Sequence, residues 1–385
     1  MNASLPIPSN EALAQSESLA HLIRTEIAAN GGWLDFARYM HLALYAPGMG
    51  YYSGGLKKFG SGGDFVTAPE ISPLFARTLA RQVAEIVAMT RGDILELGAG
   101  TGRLAAGLLL ELAQLQALPG RYLILEVSAH LRDEQRRTLQ AMLPAELFAR
   151  VGWLDTLPAG FRGLVLGNEV LDALPVHVVR TSAGGTQELG VTEAEGRFVW
   201  APRKLTNSAV LDMLQSLQLP DEYTTELCPA AAGLIASLAD MLEEGVILLI
   251  DYGFPRREYY HAQRHQGTLI CHYRHHAHDD PFVYPGLQDI TAHVDFTLAA
   301  ETAVAHGLAL KGYCGQAQFL INCGITALMS EVSPHDIAAY APVAAAAQKL
   351  LSPAEMGELF KVVAFGNRCE YPLMGFSSGD RSHTL

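Results

Sequence analysis

The chain has 385 residues, 49% of them hydrophobic and 17% charged, the balance of a folded protein with a sizeable core rather than a disordered one. A net charge of −13 leaves no surplus of Lys and Arg to hold a phosphate backbone, so nucleic acid is excluded as the main partner and a basic one is favoured. Apolar runs such as Val246 to Ile250 stop within a few residues at Glu244 and Asp251, too short for the roughly 20 residues of a spanning helix, so no membrane insertion is expected.

The first thirty residues carry Glu11, Glu17 and Glu26 against Arg24, which fits neither a secretory signal nor an Arg-rich transit peptide, and the expected location is cytoplasmic. Residues 1–90 read as an N-terminal extension. It holds a Gly-rich loop, Gly60 to Asp64, and then a helix in which Ser72 caps, Pro73 takes the first position, and Phe75, Leu79, Val83 and Ile86 form the apolar stripe. Residues 91–366 read as the core and 367–385 as a polar tail.

The core opens with a short strand, Asp93 to Leu97, that stops at a glycine loop, followed by a helix carrying Leu104, Leu108, Leu112 and Leu115 and closed by Pro119-Gly120. A second strand is expected at Tyr122 to Leu125, a third ending near Trp153, a fourth at Gly163 to Leu166 and a fifth at Gly245 to Ile250. Alternation of strands and helices implies a parallel α/β sheet whose ligand lies beyond the carboxyl ends of the strands. Between the fourth and fifth strands the pattern weakens, and an insertion is expected around 184–243. Five scattered cysteines with no CxxC pair (Cys228, Cys271, Cys314, Cys323 and Cys369) read as reduced thiols.

Glu96-Leu97-Gly98-Ala99-Gly100-Thr101-Gly102 lies between strand and helix, where missing side chains admit a small ligand to the backbone and the helix N-terminus. A dinucleotide fingerprint would need glycine at position 103, which is Arg103, and no Walker lysine follows the loop. S-adenosyl-L-methionine fits better, because it carries an ammonium and a ribose but no phosphate. Glu96 precedes the glycines. Glu126, after the second strand, suits the two ribose hydroxyls, and Asp155, after the third, suits the adenine amino group. The cofactor-binding set is therefore Glu96, Gly98, Gly100, Gly102, Glu126 and Asp155.

The chain resembles the MidA-like methyltransferases, whose mitochondrial members help assemble respiratory complex I by symmetrically dimethylating an arginine of a core subunit. The resemblance rests on Leu44 to Pro47 with Gly50-Tyr51-Tyr52, Gly63-Asp64-Phe65-Val66-Thr67-Ala68-Pro69-Glu70-Ile71-Ser72, Asn168-Glu169 with Asp172 to His177, Asp251-Tyr252-Gly253, Thr291 to Phe296, and Phe360-Lys361-Val362. Ala68 and Val170-Leu171 depart from commoner family residues, and Gly315 to Leu320 only approximates its motif. The resemblance implies a class I methyltransferase with a Rossmann-like parallel-sheet core, an N-terminal helical extension and an insertion between strands 4 and 5. It also implies a protein substrate, an arginine of an NADH dehydrogenase subunit. A catalytically weak assembly chaperone and a small-molecule methyltransferase stay open on sequence grounds, as does a homodimer.

Guanidinium offers no free lone pair and must be oriented and deprotonated, which points to Asn168, Glu169 and Asp172 after the fourth strand, with Asp172 one helical turn beyond Asn168 if a helix begins there. Asp172 reads equally well as a brace of the turn that follows it. Gly63 and Asp64 are suited to close over the methionine end of the cofactor, Asp64 facing its ammonium with Thr67 nearby. The same stretch also reads as a capped helix entry. The histidines at 261, 265, 272, 275, 276 and 278 match no metal-binding spacing, so no metal is expected. The GxSxG letters at Gly375 to Gly379 lack a strand to present the serine.

Overall fold

Short apolar runs ending at glycine or polar positions form the strands of the principal sheet in the computed structural model, which describes residues 5–54 and 67–385. These strands are β1 (Asp93–Leu97), β2 (Tyr122–Leu125), β3 (Val151–Leu154), β4 (Phe161–Asn168), β5 (Leu242–Phe254), β6 (Ala309–Gly315) and β7 (Phe360–Asn367). Their order across the sheet is β6-β7-β5-β4-β1-β2-β3, and a short eighth strand, Val294–Asp295, pairs with the end of β5. The five strands β1 to β5 run parallel, while β7 is antiparallel to both β5 and β6.

Helices α1 (Pro73–Thr90), α2 (Arg103–Gln114) and α3 (Ala129–Met142) belong to the same unit. Ser72 caps α1, its Oγ accepting from the Leu74 N–H at 3.1 Å, with Pro73 at the first position. The stripe of Phe75, Leu79, Val83 and Ile86 is fully buried with Leu104, Leu108 and Leu112 of α2 against Ile94, Ile124, Leu164 and Leu248 of the sheet. Each such side chain contributes about 1.5–3 kcal/mol by leaving water.

Contacts group the described residues into two compact units, which differ from the contiguous spans 1–90, 91–366 and 367–385. The sheet unit comprises Val66–Val170, Leu234–Pro255 and Val294–Leu385, so α1 belongs to the core and not to an extension. The last residues belong to it too. Phe376 packs on Phe319 at a ring distance of 5.4 Å, and Gln82 Oε1 accepts from the Gly375 N–H at 2.8 Å. The polar letters of that segment conceal the apolar anchors Leu373 and Phe376.

The second unit draws on Met1–Phe65, Leu171–Gly233 and Arg256–His293. Its antiparallel sheet comprises Leu34–Asp35, His177–Arg180, Gln187–Ala194, Arg197–Lys204 and Thr224–Leu227, with a separate three-stranded sheet from Ile270–Tyr273, His276–His278 and Asp289–Thr291. A hairpin joins Gln187–Ala194 to Arg197–Lys204 through Glu195 and Gly196, both at positive φ, the backbone of a tight two-residue turn. No helix among the described residues is long and apolar enough to cross a membrane.

Candidate active site

Strand register brings three of the predicted positions to one edge of the sheet. Leu97 pairs with Leu125 and with Gly167, so the glycine loop, Glu126 and Asn168 all start where adjacent strands end. The Gly98 N–H donates to the Leu125 carbonyl at 3.0 Å. Gly98, Gly100 and Gly102 all have positive φ (58°, 52° and 84°), a region that penalises residues with a Cβ. At Gly100 a Cβ would meet nothing within 4 Å among the described residues, which leave room there for a ligand. Gly102 begins α2, and a Cβ on it would lie 3.3 Å from Cα of Gln135 on α3.

Two carboxylates stand beside this loop. Glu96 on β1 is buried and accepts from the Tyr122 hydroxyl at 2.7 Å; burial pushes its carboxyl up to about 7, Tyr122 opposes the rise and the nearby Glu126 adds to it. Glu126, at 5% exposure, accepts from the Ser128 N–H at 2.9 Å and from Gln135 Nε2 at 3.0 Å. Burial raises its carboxyl too, against those two donors and Arg132. Both oxygens retain lone pairs for hydroxyl groups. Val127 follows at 76% exposure, an apolar surface next to that acceptor.

Asp155 is linked to this arrangement through Arg132, whose Nε donates to the Glu126 carbonyl at 2.7 Å. Its side chain is 88% exposed and forms an ion pair with Arg132 at 2.7 Å. Gly63 and Asp64 lie outside the described residues. Thr67 is the cap position of the short helix Ala68–Ile71 but makes no side-chain capping bond. From that helix Glu70 accepts from the Thr101 hydroxyl and pairs with Arg103 at 3.0 Å, which ties the helix to the glycine loop.

At the end of β4, Asn168 Nδ2 donates to Glu169 Oε1 at 3.1 Å, while Asn168 Oδ1 is buried without a hydrogen-bond partner among the described residues. Glu169 has φ of 54°, a left-handed conformation costing a non-glycine residue about 1–2 kcal/mol. Strand β5 clamps it on both sides: the Glu169 N–H donates to the Ile250 carbonyl at 2.9 Å, and the Val170 N–H donates to Asp251 Oδ2 at 3.1 Å. No helix starts here, so Asp172 is not one helical turn beyond Asn168; the left-handed Glu169 breaks that path. Asp172 belongs to the second unit, buried in the turn from Leu171 to Leu174, where its carbonyl accepts from the Ala292 N–H at 3.0 Å.

Sequence reasoning passed over Glu70, Gln135 and Asp251. Glu70 and Asp251 stand inside motifs already noted, whereas nothing marked Gln135. Among the described residues no group of three or more His, Cys, Asp or Glu side chains could hold a metal ion.

A parallel sheet in this order, with an open glycine loop and an acid after the second strand, defines a methyltransferase that uses S-adenosyl-L-methionine. The family model described as "putative S-adenosyl-L-methionine-dependent methyltransferase" matches residues 76–314, and the chain belongs to that family. The chain is similar to a "likely methyl transferase" from Burkholderia thailandensis whose crystal structure is bound to S-adenosyl-homocysteine, with 53% identity, a TM-score of 0.96, and coverage of 99% of this chain and 100% of that one. It is also similar to the mitochondrial protein arginine methyltransferase NDUFAF7 of Danio rerio, 32% identical over 89% of this chain and 85% of the relative. The Drosophila melanogaster homologue is 29% identical over 97% and 91%. These relatives are named mitochondrial, which overturns the cytoplasmic expectation; the charge of the first thirty residues, on which that expectation rested, does not determine a compartment.

Proposed function

We propose that this methyltransferase modifies an arginine of a protein, and that the protein is a core subunit of an NADH dehydrogenase whose arginine becomes symmetrically dimethylated. The acceptor chemistry is supported by the names of the curated relatives, which are protein arginine methyltransferases. The single observation behind it in this chain is the pair at the end of β4: a carboxylate, Glu169, held in a strained conformation beside a buried amide oxygen, Asn168 Oδ1, that has no partner among the described residues. Both are acceptors, and a guanidinium is a fork of N–H donors.

S-adenosyl-L-methionine supplies an electrophilic methyl group. In this reading Glu96 faces its ammonium, Glu126 its ribose hydroxyls, and Gly98, Gly100 and Gly102 admit it to the backbone; Thr67 and, outside the described residues, Gly63 and Asp64 are assigned to its methionine end from the sequence motif alone. Asp155 pairs with Arg132 through Oδ1 and offers its second oxygen to the adenine amino group. Glu169 orients the guanidinium and takes the proton it must lose, because a group with a pKa above about 12 does not arrive deprotonated. Asn168 orients the acceptor nitrogen.

Mass spectrometry of the subunit's arginines, from cells with and without the gene, tests the proposal. Dimethylarginine present in the parent and absent in the deletion supports it. Arginines that are unmodified in the parent, or equally methylated in both, refute it.

A further inference from the structure

Helix α3 and its cap direct three residues, Ser128, Arg132 and Gln135, at one target, and the spacing of four and then three positions puts them on one helix face. The Ser128 N–H donates to Glu126 Oε1 at 2.9 Å, Arg132 Nε to the Glu126 carbonyl at 2.7 Å, and Gln135 Nε2 to Glu126 Oε2 at 3.0 Å. Gln135 reaches further than the others. Its Nε2 also donates to the Gly100 carbonyl at 3.0 Å, and its Oε1 accepts from Trp153 Nε1 on β3 at 2.9 Å.

The orientation of this amide is fixed by chemistry. An indole N–H only donates, so the glutamine oxygen must face Trp153, which leaves the two amide hydrogens for Gly100 and Glu126. The side chain is fully buried and uses both donors and its acceptor. It therefore joins the glycine loop after β1, the acid after β2 and the tryptophan of β3 through one rigid group. The close approach of α3 at Gly102 makes that reach possible.

We infer that Gln135 is a positioning residue of the cofactor site, fixing the Glu126 carboxylate relative to the Gly100 carbonyl so that one oxygen pair is aimed at the ribose hydroxyls of S-adenosyl-L-methionine. The inference rests on the reading that Glu126 and the glycine loop hold the cofactor. A glutamine suits the task because it does not titrate: it supplies a donor to Glu126 at every pH, where a histidine or lysine would vary. That donor also opposes the protonation that burial promotes in Glu126. Among the described residues the charged groups bearing on Glu126 are Arg132 on α3 and Glu96 on β1, and both remain in every variant below.

The test is calorimetric titration of the whole protein with S-adenosyl-homocysteine between pH 6 and 8, comparing each variant with the parent at the same pH. Gln135→Met, which keeps the volume and removes the donors, is expected to weaken binding by at least about tenfold, the share of one hydrogen bond to a charged group. Gln135→Glu keeps an acceptor for Trp153 but places a second carboxyl against Glu126. Its loss of affinity relative to the parent is expected to grow with pH as the pair ionises, whereas a residue that merely fills space would give a constant ratio. Binding by Gln135→Met within about twofold of the parent, or a flat ratio for Gln135→Glu, overturns the inference if Glu126→Ala has lost affinity. Parent-like binding by Glu126→Ala shows instead that the underlying cofactor reading is wrong.

Discussion

Raising the pH should tighten cofactor binding through Glu96, and the size of the effect follows from its burial. With its carboxyl pushed up to about 7, Glu96 is about nine-tenths protonated at pH 6 and about one-quarter protonated at pH 7.5. A ligand ammonium favours the carboxylate, so binding releases a proton, and affinity should rise about eightfold between those two values. At the upper limit the ligand's own amine, an α-amino group with a pKa of about 7.7–8.0 or above, is still mostly charged. The free protein should respond in the opposite sense: because the folded state raises this carboxyl from its ordinary 4.5, the stabilisation is complete at low pH and is lost as pH climbs through about 7. At roughly 1.4 kcal/mol per tenfold, that loss is about 3 kcal/mol. Titration with S-adenosyl-homocysteine in buffers of different ionisation enthalpy measures both affinity and proton release, with Glu96→Gln as the control that removes the Glu96 contribution. An affinity that does not change from pH 6 to 7.5 in the parent, or a slope undiminished in Glu96→Gln, would refute the reasoning.

Glu169→Gln keeps an oxygen for the Asn168 amide but removes the base, so single-turnover methylation of an arginine acceptor should fall at least about 100-fold with cofactor affinity unchanged; an unaltered rate would remove Glu169 from the chemistry. Asp172→Asn should slow the same step. If instead only thermal stability drops, Asp172 is a brace of its turn. Phe75→Ala empties a fully buried site under the sheet and should cost about 3–5 kcal/mol in denaturant unfolding, and a loss below about 1 kcal/mol would contradict the packing described for α1.

The parallel sheet was legible in the sequence because each of its strands is an apolar run ended by a glycine or an acid, a pattern that needs no distant partner to be recognised. Even so, β4 and β5 extend past the expected Gly163 to Leu166 and Gly245 to Ile250, since pairing between Leu242 and Phe161 carries polar flanking residues into the ladder. The hairpin of the second unit was missed: Glu188, Glu193, Arg197 and Arg203 dilute its alternation, and its turn signal is the single pair Glu195-Gly196. In the candidate site, residues next to the glycine loop or at strand ends could be named from spacing. Gln135 could not, because its contacts reach 35 residues back to Gly100 and 18 forward to Trp153, and only folding brings these together. The one-turn spacing from Asn168 to Asp172 holds only if a helix begins at Asn168, and the left-handed Glu169 that prevents one is imposed by β5, which lies far off in sequence.

The glycine loop with Glu126 is the centre of the account, and calorimetric titration of S-adenosyl-homocysteine into the parent, Gly100→Val and Glu126→Ala tests it most directly. Valine at a φ of 52° is strained and projects a branched side chain into space that no described residue fills, while alanine at 126 removes the buried acceptor. The account predicts tight binding by the parent, no measurable binding by Gly100→Val, and at least about tenfold weaker binding by Glu126→Ala, with both variants folded by circular dichroism. Parent-like affinity in two folded variants would contradict it.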